Sequence, residues 1–174
     1  MIYPDLILNN KIWQRLCISF QNGKLPHAIL FHGNSGIGKE AHAIELAGLI
    51  NCEHPQNSSC CGQCSNCIKT KTLQNSNIKL IHPSPIRKQI EKNDSFLKAL
   101  SPKDLENLEQ QIKAKGQNAY KKIELDNANT IPLSAIRELR REIFMTSMES
   151  GWKTVLIFDA EKLCVPKPES ANAL

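Results

Sequence analysis

A chain of 174 residues with 41% hydrophobic side chains is long and apolar enough to enclose a core, which excludes disorder along its whole length. Its formal net charge of +5 is a mild excess, permitting contact with a phosphate backbone without demanding it. No run approaches the roughly 20 apolar residues that span a bilayer, and the start MIYPDLILNNKIWQRL lacks a basic stretch leading into an apolar one and a cleavage site, so we expect a cytoplasmic protein.

In chain order, residues 5–22 set Ile12, Leu16, Ile18 and Phe20 among polar residues, a pattern that suits an amphipathic helix, and GKLP ends it. HAILFHG, residues 27–33, is a short apolar run ending in glycine and predicts a strand. KEAHAIELAGLI, residues 39–50, carries Ala41, Ile44, Leu46, Ala47 and Leu49, is alanine-rich and free of proline, and predicts a helix. Between the two lies G-x-x-x-x-G-K, formed by Gly33, Asn34, Ser35, Gly36, Ile37, Gly38 and Lys39. In a strand–loop–helix context such glycines let successive N–H groups face a phosphate, the helix start adds partial positive charge, and the lysine reaches the outer phosphates. A plain glycine turn is the alternative. The next position in a working site is a Ser or Thr that ligates magnesium, and here it is Glu40. A carboxylate beside the phosphates repels them, so ATP or ADP is the ligand such a loop would take but ordinary Mg-ATP binding is disfavoured.

Five of the seven cysteines fall between residues 52 and 67. Without a secretion signal, metal is a better reading than disulfides. Cys52, Cys61, Cys64 and Cys67 have the short C-x-x-C steps of a tetrahedral zinc knuckle, and four ligands with no open position imply a structural Zn2+. This bounds a zinc module at residues 51–69, with Cys60 as the spare thiol and Cys17 and Cys164 as ordinary small residues.

IKLIHP, residues 78–83, predicts a second strand stopped by proline. Residues 84–125 mix lysines and acids with amphipathic pieces such as SFLKALSPKDLENLEQQIKAK and predict a charged helical insertion with a solvated surface. In IPLSAIRELRREIFM, Ile136, Leu139, Ile143 and Phe144 stand at helical spacing. KTVLIFDAEKL carries the apolar run Val155 to Phe158, a strand buried on both faces, and ends in Asp159, the acid expected opposite a phosphate loop. A strand-end cap is the other reading of Asp159. The glutamate that polarises water in many such sites would follow it directly, but Ala160 stands there and Glu161 comes one residue late. Strands separated by helices favour an α/β fold with a parallel sheet.

Taken together, LPHAILFHGNSGIGKEAHAIELAGLINC, CGQCSNC, IPLSAIRELRREI, GWKTVLIFDAEKL and ESANAL resemble the AAA+ subunits of bacterial clamp loaders, which serve the DNA polymerase III holoenzyme by loading the sliding clamp on primed DNA. Among them the delta-prime subunits are most similar, because they commonly carry a degraded nucleotide site. The resemblance covers most of the chain except residues 84–125. It implies a P-loop (AAA+) parallel sheet flanked by helices, loop roles for Gly33, Gly36, Gly38 and Lys39, zinc ligation by Cys52, Cys61, Cys64 and Cys67, and a site role for Asp159. It also implies a rigid subunit with no catalytic residue of its own, partnered by gamma/tau and delta subunits and, through the assembly, by the sliding clamp and primer-template DNA. ESANAL resembles the start of a helix that continues in the family, so residues 1–174 read as a truncated N-terminal part of an AAA+ domain, before any arginine finger or collar. Two other readings stay open: an ATP-hydrolysing gamma/tau-type subunit using Glu161, and a zinc-ribbon nucleic-acid binder. The second is weakened because Lys69 and Lys71 have no aromatic platform near them in sequence.

Overall fold

The computed structural model describes residues 1–56, 58–91, 93–145 and 151–174; Asn57 of the cysteine module and Lys92 of the charged insertion lie outside the described residues. Its helices are α1 (Asn10–Gln21), α2 (Lys39–Ile50), α3 (Ser65–Lys71), α4 (Pro102–Gln117), α5 (Leu133–Phe144) and α6 (Glu169–Ala173). Short 3-10 turns cover Phe96–Ala99 and Ala160–Cys164. Strands β1 (Ile78–Ile81) and β2 (Thr154–Ile157) pair in parallel, with Ile78 opposite Thr154 and Ile81 opposite Ile157. The chain is therefore α/β with a small parallel sheet. Among the described residues no helix is long and apolar enough to cross a membrane.

The apolar runs of the two strands are buried from both sides, and period-two alternation sorts them. Ile78, Leu156 and Phe158 join the larger core with Ala41, Ile44 and Ala47 of α2. Ile81, with Val155 and Ile157, meets Ala135, Ile136 and Leu139 of α5. A two-strand sheet thus lies between α2 and α5. Side chains lock its ends: Asn51, at the C-terminus of α2, accepts from Trp152 N–H at 2.9 Å and donates to Ala47 O at 3.1 Å. Gly151 passes so close that a Cβ there would lie 2.5 Å from Asn51 Oδ1.

α2 forms where the alanine-rich sequence predicts a helix and is wrapped on nearly all sides, with Ala41, Ile44, Leu46, Ala47 and Leu49 buried. α1 covers its outer flank through Trp13 and Cys17, which pack on Leu46 and Leu49. The expected inward set for α1 is corrected here: Ile12 and Ile18 are 49% and 56% exposed. Asn9 Oδ1 caps the helix by accepting from Ile12 N–H, and the helix starting there turns residues 13 and 17, four apart, toward α2. Likewise Phe144, at the last turn of α5, is exposed while Ile136 and Leu139 are buried.

Two larger expectations also change. Residues 27–31 form no strand; Leu30 is 77% exposed, and the segment pairs with neither β1 nor β2. The predicted strand before the glycine loop is thus absent from the sheet among the described residues, because an apolar run becomes a strand only where a neighbour takes its backbone groups. The charged segment 84–125 is more than a solvated surface. It contains α4, and Leu100, Leu108, Ala119, Ile123 and Leu125 belong to the larger core.

Candidate functional site: a thiol cluster and a glycine loop

The cysteine module begins where α2 ends. Cys52 follows the C-cap Asn51, the chain loops out and returns through Cys61 and Cys64, and Cys67 lies in the first turn of α3. The loop is held by backbone bonds in both directions between Gln56 and Ser59, each 2.8 Å, and by Ser58 O, which accepts from Trp13 Nε1–H at 3.1 Å. Gly62 adopts φ 73°, and a Cβ there would lie 2.9 Å from Met1 O, so the turn between Cys61 and Cys64 requires glycine on both counts.

The four predicted ligand sulfurs lie within 4.8 Å of one another. Cys67 Sγ is 3.6 Å from Cys52 Sγ and 3.9 Å from Cys61 Sγ. Four sulfurs about 2.3 Å from a common ion at tetrahedral angles stand roughly 3.8 Å apart, so the donor set fits a thiolate-bound metal. Backbone N–H groups of Gln63 and Cys64 donate to Cys61 Sγ and lower its pKa to about 6. Burial pushes the Cys52 and Cys67 thiols up. A dication at the centre would draw those remaining protons off. Cys60 turns the other way, buried with its Sγ 3.6 Å from Glu45 Oε2 and outside the four-sulfur cluster.

The glycine loop runs from exposed Gly33 to buried Gly38, the left-handed N-cap of α2 at φ 77°. A Cβ on Gly38 would lie 3.0 Å from both Leu6 Cδ1 and Tyr120 Cε1, so the loop's last residue is clamped between the N-terminal segment and the chain after α4. His42 anchors it from below. Its Nδ1 lies 2.8 Å from Gly38 O and its Nε2 accepts from Asn9 N–H, which together assign the neutral ring with hydrogen on Nδ1. Asn34, Ser35, Gly36 and Ile37 are exposed, and Lys39 is half-buried at the start of α2.

Glu40 is not a free carboxylate. Its Oε2 accepts from Lys115 Nζ at 2.7 Å, and Lys115 also donates to Ala119 O at 3.1 Å. The same ammonium stands 5.7 Å from the centroid of the Phe158 ring, the residue before Asp159. Asp159 sits half-buried beyond β2 in a left-handed conformation, φ 48°, and begins the 3-10 turn, accepting at its carbonyl from Lys162 N–H. The start of α2 and the end of β2 are therefore joined through Lys115. Lys39 and Asp159 do not stand on adjoining strands, since residues 27–31 are outside the sheet. Sequence reading missed Lys115, His42 and Tyr120. For Lys115 a signal exists: it continues the apolar positions Leu105, Leu108 and Ile112 of α4 at helical spacing.

Against known proteins, the family model described as DNA polymerase III, delta subunit, matches residues 8–174. The chain belongs to this family. Over 65 residues it is 34% identical to the DNA polymerase III subunit tau/gamma of Haemophilus influenzae, an alignment covering 37% of this chain and 9% of that protein. It is 33% identical over 55 residues to the DNA polymerase III subunit delta' of Escherichia coli, covering 32% of this chain and 16% of that protein. A third relative, the subunit gamma/tau of Mycobacterium tuberculosis strain H37Rv, is 29% identical over 66 residues, 38% of this chain and 11% of that protein. The chain thus spans well under a fifth of the length of these curated relatives.

Proposed function

We propose that this chain serves in the bacterial clamp loader as a subunit of the delta-prime kind: a rigid member of the assembly that helps place the sliding clamp on primed DNA and does not itself turn over ATP. Its partners on this reading are the gamma/tau and delta subunits, with clamp and primer-template DNA reached through the complex. The observation that carries the reading is Glu40, which replaces the metal-binding hydroxyl after the loop lysine and is engaged by Lys115. Ala160 directly after Asp159 points the same way, since no carboxylate stands there to orient water. The thiol cluster holds structural zinc on this reading, with Cys52, Cys61, Cys64 and Cys67 as ligands. The loop Gly33–Lys39 and Asp159 remain the candidate nucleotide-facing residues.

Steady-state ATP turnover by the purified protein tests this. Turnover should stay at background and be unchanged by Lys39→Ala; robust magnesium-dependent turnover that Lys39→Ala abolishes would rule it out. That second outcome belongs to the gamma/tau-type reading, which draws support from the similarity to tau/gamma proteins and from Glu161 one residue beyond Ala160.

A further inference from the structure

Lys115 is the largest fully buried side chain among the described residues, 1% exposed. Helix packing sets its depth: Gly116, beside it, comes so near the end of α3 that a Cβ would lie 2.6 Å from Lys71 O. Its ammonium lies where three elements converge, bonded to Glu40 of α2 and to Ala119 O beyond α4, and facing Phe158 after β2. That point lies against position 40 and one residue short of Asp159 in sequence, and position 40 with the strand-end aspartate are the two places from which a magnesium ion beside a loop of this kind is held.

The residues present do not fit that ion. Glu40 stands where the metal-binding oxygen belongs, and it is already bonded to the Lys115 ammonium at 2.7 Å. A dication drawn to the same carboxylate would meet the ammonium with little water to screen the repulsion. Glu40 and Lys115 instead neutralise each other, and burial, which lowers the lysine's pKa, is opposed by the hydrogen bond and charge of Glu40. We propose that the Glu40–Lys115 pair takes up the position of the divalent metal, so that any nucleotide phosphate the loop takes is bound without magnesium. This rests on the reading of residues 33–39 as a phosphate loop in a non-hydrolysing subunit.

The test is equilibrium titration of the full chain with ADP and ATP, in magnesium and in EDTA, beside the double variant Glu40→Ser/Lys115→Met. The double variant removes both charges together and so avoids stranding one in the interior; circular dichroism checks that it folds. Dissociation constants for the wild type that agree within about twofold in the two buffers support the proposal, whereas tightening by magnesium of about tenfold or more overturns it. Should the wild type bind neither nucleotide, the double variant decides: magnesium-dependent binding that appears on exchanging the pair supports the proposal, and its continued absence overturns it. Because the readout is binding rather than turnover, a protein that needs magnesium to bind yet hydrolyses nothing would sink this inference and leave the functional reading standing.

Discussion

Cys60 and Cys61 are chain neighbours with opposite surroundings, and a pair of serine substitutions should separate them. Cys61 receives two backbone N–H groups and faces the other ligand sulfurs, while Cys60 is buried beside Glu45 with its carbonyl bonded to the Met1 amine at 2.8 Å. Freshly purified, reduced Cys60→Ser protein should retain about one equivalent of zinc by elemental analysis, whereas Cys61→Ser should lose most of it. Equal metal content in the two variants would contradict the assignment. A second pair of variants addresses Lys115. Lys115→Ala leaves the Glu40 carboxylate without its partner and should cost about 3–5 kcal/mol, read from urea unfolding midpoints, while Glu40→Gln/Lys115→Met should cost clearly less. A double variant that costs as much as Lys115→Ala would mean that the stranded carboxylate is not the source of the loss. These sites differ in how legible they are from sequence. Ligand spacing is local, so the four thiols can be named from CGQCSNC and the preceding Cys52. Glu40 and Lys115 lie 75 positions apart, and only the lysine's place on the apolar stripe of α4 hints that it turns inward.

The start of α4 shows how an element inside a charged stretch is fixed. Ser101 and Asp104 form a reciprocal capping box with Pro102 in the first turn, and Arg87 grips the same carboxylate through Nε at 3.0 Å and Nη2 at 3.1 Å. Ser101→Ala should cost about 1 kcal/mol, lowering Tm by roughly 2–4 °C by calorimetry. The Arg87 guanidinium, aided by Ser101, holds the Asp104 carboxyl far below the ordinary carboxylate range. A depressed folded value stabilises the charged form, so the contribution is complete above the unfolded value near 3.9 and is lost as pH falls toward the folded one. Stability measured from pH 6 down to pH 2 should therefore fall less steeply in Asp104→Asn than in the wild type; parallel curves would refute the role. Elements whose signals are local were legible: α2 and α5, and strands at β1 and β2, where apolar runs end at Pro83 and Asp159. What depended on distant neighbours was not. Residues 27–31 have strand composition but no strand beside them, and the buried side of α1 follows from Asn9 and the surface of α2 rather than from its own apolar count.

At the scale of the molecule, two packed regions share one small sheet. The face toward α2 includes the thiol cluster, since Cys60 and Cys67 are core members and Cys52, Cys61 and Cys64 pack against it; the face toward α5 is closed by Ile131, Ile136, Leu139 and Leu163. Across the second face, Ser170 Oγ donates to Ile131 O at 2.8 Å and Ile131 N–H donates to Lys162 O, bonds with no share in the cysteine loop. Metal would therefore act mainly on the first region. It would tie the end of α2 to the start of α3, and without it the four neighbouring sulfurs would be held only by weak thiol hydrogen bonds and the backbone bonds of the loop. Local openings need not involve the whole chain when the interactions that break are confined to one region. Treating the reduced protein with a strong chelator should thus lower Tm and raise amide exchange first in residues 52–72. Amides of the β1–β2 ladder and of α5 should keep most of their protection at temperatures well below the new midpoint. Hydrogen exchange followed by mass spectrometry reads both regions in one sample. Simultaneous loss of protection across both faces would show that the metal holds the entire fold, and unchanged exchange in residues 52–72 would show that the thiols need no ion to stay together.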